Sequence, residues 1–104
     1  MKAQTIVRLR YGTTASQLQR VLDDVRKMVE EHPDVEGASA RFRVVNFGAQ
    51  AIEIELFAFI TTADFSTFMA VREALLLRIA AIIESSGSGL ARPTEFLQIE
   101  PVGT

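Results

Sequence analysis

The sequence predicts an α+β fold of the ferredoxin-like kind, a β-α-β-β-α-β sandwich with an antiparallel sheet in the order 4-1-3-2 and two helices on one face. Three observations predict it. Two stretches carry apolar residues at helical spacing, each opened by a side chain able to cap a helix. Two stretches with strand-like patterning are separated only by Gly48-Ala49-Gln50, and a third lies before the first helix. The elements come as strand, helix, strand, strand, helix, strand, and right-handed crossovers then place the first and third strands in the middle.

Taken in order, the first strand is read from Val7, Leu9 and Tyr11, which alternate with Arg8 and Arg10 until Gly12 ends it. Thr14-Ala15-Ser16-Gln17 has the form of a capping box, in which Thr14 accepts from the third helical amide while Gln17 reaches back. Leu18, Val21, Leu22, Val25, Met28 and Val29 follow at helical spacing, predicting an amphipathic helix over about 16–31. His32-Pro33 stops it, because proline disfavours the helical conformation in the residue before it. Asp34 to Ser39 reads as a polar loop, Arg41 to Phe47 as the second strand, and Gly48-Ala49-Gln50 as a hairpin connection.

The third strand sets Ile52, Ile54, Leu56, Ala58 and Ile60 on one face and Glu53, Glu55, Phe57, Phe59 and Thr61 on the other. Thr62 and Asp64 are both candidate N-caps for a helix running to about Ser85. Its apolar positions are Phe68, Val71, Leu75, Ile79, Ile82 and Ile83, with Leu76, Ala80 and Ala81 broadening the stripe. A helix this apolar is expected to be covered on more than one side. Ser85 to Gly89 ends it, and after Arg92-Pro93 a last short strand is expected over Glu95 to Ile99.

Length and composition bound what such a fold could do. The 104 residues, read as a single α+β domain over 1–104, suffice for one core without metals or disulfides. A net charge of −2 gives no electrostatic reason to expect a nucleic acid or an anionic membrane as partner. With no cysteine, disulfides, thiolate metal sites and cysteine nucleophiles are excluded. Apolar runs such as Ala74–Leu77 and Ile79–Ile83 are broken by Arg78 and Glu84, so none approaches the roughly 20 residues that span a bilayer. The chain as given is expected to be soluble.

The patterns that could carry chemistry each have a blander reading. His32 is the sole histidine and sits at a helix end, where an imidazolium meets the negative pole. Gly87-Ser88-Gly89 follows a helix rather than preceding one, so it offers no helix N-terminus to a phosphate. Glu53 and Glu55 share a face with Arg8 and Arg10, which favours ion pairing over acid–base work. Phe57-Ala58-Phe59 is similar to the stacking aromatics of RNA-recognition motifs, but the two glutamates beside it would repel phosphates. No catalytic, cofactor-binding or metal-binding residue is assigned, no cofactor is expected, and the chain is not read as an enzyme.

The sheet face turned away from the helices is the informative one. It should carry Arg8, Arg10, Arg41, Arg43, Val45, Phe47, Glu53, Glu55, Phe57 and Phe59. Pairing Phe47 with Glu53 would set Arg43 opposite Phe57 and Arg41 opposite Phe59, where a guanidinium can lie over an aromatic ring. Three phenylalanines among charges make this face too apolar for plain solvent contact, so another subunit or another part of a longer chain should cover it.

Ser86-Gly87-Ser88-Gly89-Leu90-Ala91-Arg92-Pro93-Thr94-Glu95-Phe96-Leu97-Gln98-Ile99-Glu100 resembles the closing segment of the small-conductance mechanosensitive channel (MscS) family. There a helix ends in a glycine-isoleucine-glycine-like turn, followed by an alanine-aromatic-proline-threonine stretch and a final strand. Leu9-Arg10-Tyr11-Gly12-Thr13-Thr14, His32-Pro33, Asn46-Phe47-Gly48 and Thr61-Thr62-Ala63-Asp64-Phe65 with Val71-Arg72-Glu73 resemble the family at the corresponding elements. The likeness covers about residues 5–100 and rests on the order and spacing of these stretches. Ser88 departs from it where a branched aliphatic is usual, and Arg92 where an aromatic is usual.

The resemblance implies a domain on the cytoplasmic side of the inner membrane that helps seven subunits build a hollow cage under a pore. Side openings would admit solutes, and the final strands would join in a small barrel. Its partners would be other copies of itself, a heptamer in the full-length channel, with no nucleic acid and with membrane contact only through upstream segments. The family's pore-lining helix and β domain are not in this sequence, so Met1 is expected to begin a fragment of a longer membrane channel subunit or a stand-alone relative. The candidate subunit interface is Arg41, Arg43, Phe57 and Phe59, joined by Pro93 and Phe96 of the closing segment. The alternative is a stand-alone ferredoxin-like domain that binds a small ligand or regulates a partner enzyme.

Overall fold

A computed structural model describes residues 1–91. Five elements follow one another: β1 (Lys2–Leu9), α1 (Ala15–Glu30), β2 (Val35–Phe47), β3 (Ile52–Ile60) and α2 (Phe65–Ser85). The strands form an antiparallel sheet in the order β1-β3-β2, so the fold is α+β as predicted. On the other edge of β1, Leu90 makes an antiparallel bridge to Leu9. The Arg10 amide donates to the Gly89 carbonyl and the Ala91 amide to the Arg8 carbonyl, each at 2.9 Å. The described order is therefore the 1-3-2 part of the expected 4-1-3-2. The expected strand at Glu95–Ile99, with Pro93 and Phe96, lies outside the described residues.

Alternation fixes which sheet face is buried. Ala3, Val7 and Leu9 of β1, Val35 and Phe42 of β2, and Ile52, Ile54, Leu56, Ala58 and Ile60 of β3 all enter one core. The core is completed by Val21, Leu22, Val25 and Val29 from α1 and by Phe68, Val71, Leu75, Ile79 and Ile83 from α2. Removing these side chains from water is the main favourable term, about 1.5–3 kcal/mol for each large one fully buried. Among the described residues no buried side-chain nitrogen or oxygen lacks a partner. Ser88, buried where the resemblance leads one to expect an aliphatic residue, shares a 2.6 Å hydrogen bond with the Thr13 hydroxyl.

The helix starts are built as the sequence specifies. Thr14 Oγ1 accepts from the Gln17 amide at 3.1 Å, and Gln17 Oε1 accepts from the Thr14 amide at 2.9 Å. Of the two candidate caps for α2, Asp64 is the one used, accepting at Oδ2 from the Thr67 amide at 2.9 Å and the Thr67 hydroxyl at 2.6 Å. A glycine closes α2, and another lets β2 pass the end of α1. Gly87, with φ +88°, takes the left-handed position after α2 that side chains resist. Gly37 gives room, since a Cβ there would stand 2.7 Å from the Glu30 carbonyl oxygen at the end of α1.

Four expectations are corrected. β1 begins at Lys2 rather than near Val7 and ends at Leu9. Arg10 has therefore left the sheet: its Nη2 donates to the Gly87 carbonyl at 3.1 Å instead of pairing with a glutamate. Tyr11 is exposed in the turn, its hydroxyl donating to the Gly48 carbonyl. β2 begins at Val35, not Arg41, because the stretch with the composition of a polar loop is a bulged strand. There the Ser39 hydroxyl donates to the Glu36 carbonyl at 2.7 Å and accepts from the Phe59 amide at 3.2 Å, replacing ladder bonds the bulge removes.

Candidate subunit interface

The face of the sheet opposite the helices consists of the residues that alternation turns outward. Pairing assembles them into four cross-strand rows. From one end these are Lys2–Phe59–Glu36, Gln4–Phe57–Arg41, Ile6–Glu55–Arg43 and Arg8–Glu53–Asn46. All four described residues assigned to a candidate interface, Arg41, Arg43, Phe57 and Phe59, lie on this face. Phe57 is half-buried and Phe59 is 43% exposed.

The register differs from the expected one by two residues. Arg41, not Arg43, stands opposite Phe57, and Arg43 stands opposite Glu55. The cause lies in two irregularities that periodicity does not report. A shift between Val44 and Asn46 leaves Val45 out of step, and the hairpin closes with the Gly48 amide on the Ala51 carbonyl at 2.8 Å, so Phe47 faces Ile52 instead of Glu53. The predicted stacking of an arginine on Phe59 is thereby removed, since Phe59 is opposite Glu36.

Two of the three carboxylates of the face are occupied, while Glu36 has no side-chain partner among the described residues. Glu53 takes the Arg8 Nε at 3.3 Å on Oε2 and the Asn46 Nδ2 at 3.1 Å on Oε1. Glu55 Oε2 accepts from Gln4 Nε2 at 3.1 Å. The Arg8–Glu53 pair is open to solvent and contributes about 0–1 kcal/mol. Arg41 and Arg43 are different: among the described residues neither has a carboxylate within ion-pair distance. The face thus presents two guanidinium groups without a carboxylate beside phenylalanine rings. That combination is a docking chemistry, as arginine and aromatic residues are enriched in interface cores.

Five residues of the face escape the sequence reading: Lys2, Gln4, Ile6, Glu36 and Asn46. Gln4 and Ile6 extend it along the first half of β1, and Ile6 adds apolar surface at 37% exposure. The alternation of Ala3, Thr5 and Val7 with Lys2, Gln4 and Ile6 is the available signal. Asn46 joins by orienting Glu53, which only the shifted register brings within reach. His32 has a structural role at the helix end: its Nδ1 accepts from the Asp34 amide at 3.1 Å, turning the chain from α1 into β2. Among the described residues no group of three or more histidine, aspartate or glutamate side chains is placed to hold a metal ion.

Comparison with known proteins bears on this geometry. The family description "Mechanosensitive ion channel MscS, C-terminal" matches residues 3–90. An uncharacterised MscS family protein of Aquifex aeolicus is 30% identical over 92 residues, which is 86% of this chain and 25% of that protein. The low conductance mechanosensitive channel YnaI of Escherichia coli is 24% identical over 99 residues, 94% of this chain and 29% of that protein. The chain therefore spans between a quarter and a third of the length of these relatives. A cryo-EM structure of Arabidopsis thaliana MSL1 superposes with a TM-score of 0.79, at 12% identity over 88% of this chain and 34% of that one. A second MSL1 structure gives 0.75, at the same identity and coverage of this chain. At that identity the likeness is one of fold. No helix among the described residues is long and apolar enough to cross a membrane.

Proposed function

The chain belongs to the mechanosensitive ion channel MscS family, a family of channels rather than enzymes, and from that premise we propose that it is the assembly and vestibule domain of a channel subunit. In this reading residues 1–104 form one domain of a longer subunit, held on the cytoplasmic side of the inner membrane by segments upstream. Copies of the domain, seven in the family's arrangement, contact one another and enclose the path by which solutes reach the pore. Tension sensing belongs to the membrane segments. Charged residues facing the path bias which ions are concentrated there, as fixed charges lining a cavity do.

The observation that carries this reading is the uncovered sheet face. A protein that needed nothing beyond its own fold would have no use for Ile6, Phe57 and Phe59 clustered on one surface. The relatives' length supports it too, since the matched region makes up only 25% and 29% of them.

The test compares assembly with folding. Phe57→Ser with Phe59→Ser is expected to lower the yield of assembled full-length channel in detergent about tenfold or more, as loss of buried aromatic anchors does at interfaces. In the isolated chain the same pair should lower the melting temperature by only a few degrees. The opposite ranking, a collapsed melting temperature with normal assembly, would show that the rings serve the chain's own core and would remove the basis for the proposal.

A further inference from the structure

The sheet has an edge as well as a face, and the edge at β2 is guarded. β2 pairs with β3 on one side, and among the described residues no strand pairs with it on the other. At Val35–Phe47 it is also the longest of the three strands. A long unpaired edge presents rows of amides and carbonyls to which a strand of another chain can add.

What this edge offers is narrower than its length. Register shifts between Glu36 and Arg41 and between Val44 and Asn46 disturb the strand at two places, leaving Arg41–Val44 as the regular run between them. Before the first shift the strand lies close against α1, since a Cβ on Gly37 would stand 2.7 Å from the Glu30 carbonyl oxygen. Any added strand must therefore start from Arg41–Val44.

In that run the outward acceptor is already taken. Arg26 reaches across from α1, and its Nε donates to the Phe42 carbonyl at 2.9 Å. Peptide groups alternate in direction along an antiparallel strand, so this bond marks Phe42 and Val44 as the residues whose amides and carbonyls point away from β3. The guanidinium is itself held in place. Its Nη1 stands 3.8 Å from Asp23 Oδ1, to which Gln19 Nε2 donates at 2.9 Å. Arg41 Nη1 adds a weaker contact, 3.5 Å from the Ala40 carbonyl.

The side chains add repulsion. Two copies pairing edge to edge about a two-fold axis at Phe42 would set Arg41 of each opposite Arg43 of the other, and like charges directly opposite one another destabilise a strand pair. Neither arginine is neutralised by a carboxylate among the described residues. Glu30 lines the groove along this edge from the helix side, yet stands within ion-pair distance of none of Arg26, Arg41 and Arg43.

We infer that Arg26 is a blocking side chain: by occupying the Phe42 carbonyl it holds the outer edge of β2 closed to strand addition, while Arg41 and Arg43 repel a second copy that would pair there. This is independent of the subunit reading, which concerns the face of the sheet and not its edge. It also gives two arginines without carboxylates a use that needs no partner.

Arg26→Met keeps a long stem over the strand and removes the donor. In sedimentation of the 104-residue chain it should raise the self-association constant about tenfold, since one charge-assisted hydrogen bond no longer has to be broken on pairing. That association should strengthen as salt rises from about 0.05 to about 0.5 M, because screening relieves the arginine repulsion. Adding Arg41→Glu, which turns each arginine–arginine pair into a glutamate–arginine pair, should tighten it further by about tenfold. Hydrogen exchange locates the contact: the Phe42 and Val44 amides should exchange quickly in the parent chain and about tenfold more slowly in the associated Arg26→Met chain, with the β1 amides unchanged. An Arg26→Met chain that folds normally and associates no more than the parent would overturn the inference, as would association that leaves those two amides fast. Slow exchange of Phe42 and Val44 in the parent would overturn it whatever the variants do, because the edge would then already be covered.

Discussion

The outward face of α1 carries Gln19, Arg20, Asp23, Asp24 and Arg26, tied to one another along the helix. Gln19 donates to Asp23 at 2.9 Å, Arg20 approaches Asp24 at 3.7 Å and Arg26 approaches Asp23 at 3.8 Å. α2, in the same layer and against the same core, turns Phe65, Met69 and Leu77 outward instead. Each helix needs one apolar stripe to hold it to the sheet, and α1 stops there. Met69 and Leu77 of α2 join no part of the core among the described residues. The difference between two helices of one layer thus separates the surface the described fold uses from the surface it leaves open.

That separation can be broken at the core. If the inner stripes do equivalent work, Leu22→Ala in α1 and Leu75→Ala in α2 should each destabilise the chain by about 2–5 kcal/mol, read by urea denaturation. Leu75 is wholly buried and Leu22 nearly so, which makes Leu75→Ala the larger loss. A Leu75→Ala effect below about 1 kcal/mol would mean that α2 is only loosely held by its inner face, and its outer stripe would then need no separate explanation.

Two glycines sharpen the comparison at a smaller scale, one closing α2 and one in β2 where it passes the end of α1. Gly37→Ala drives a methyl to 2.7 Å from the carbonyl oxygen that ends α1, a backbone atom that cannot swing aside, and about 1–3 kcal/mol should be lost. Gly87→Ala meets only the flexible Gln17 Nε2 at 2.9 Å, so its cost is that of a left-handed alanine, about 1–2 kcal/mol. D-alanine introduced at position 87 by chemical synthesis should recover most of the loss there, because its mirror-image preference fits the left-handed backbone.

The same distinction explains what is legible in the sequence. Periodicity and caps are local, and they locate α1, α2 and β3 with their inner faces, including the capping box at Thr14 and the choice of Asp64 or Thr62 for α2. Bulges are set by pairing, and pairing is not local. Glu36-Gly37-Ala38-Ser39 alternates poorly and so reads as a loop, although it is the part of β2 that a serine hydroxyl stitches to Phe59. The hairpin closure at Ala51 and one unpaired residue near Val45 together move Arg41 and Arg43 by two places against β3. Alternation specifies most of the open face, since residues outward on either side of a shift of two stay outward, but Arg10, Val45 and Phe47 leave the expected face and Asn46 enters it. It does not specify the contacts, which is why Arg41 and Arg43 fall on the predicted face beside other neighbours.

The smallest expected effect separates the two helix starts. α1 is capped by a hydroxyl, which does not titrate in the folding range, and Thr14→Ala should cost about 1 kcal/mol at every pH at which the chain folds. α2 is capped by a carboxylate. The Thr67 hydroxyl, and after it the Thr67 amide, hold Asp64 below its ordinary value of 3.8. The unfolded chain therefore takes up this proton first as acid is added. The stabilisation from Asp64 is complete above 3.8, declines once the pH falls past that value, and is gone below the lower pKa of the folded state. Because the carboxylate is fully exposed, solvent screening keeps the effect small. Melting temperatures of the parent chain and of Asp64→Asn, followed from about pH 7 to about pH 2.5, should converge below 3.8, whereas the gap between the parent and Thr14→Ala stays constant. A gap to Asp64→Asn that does not change with pH would show that the carboxylate caps α2 by its shape alone, leaving the two helix starts equivalent in acid.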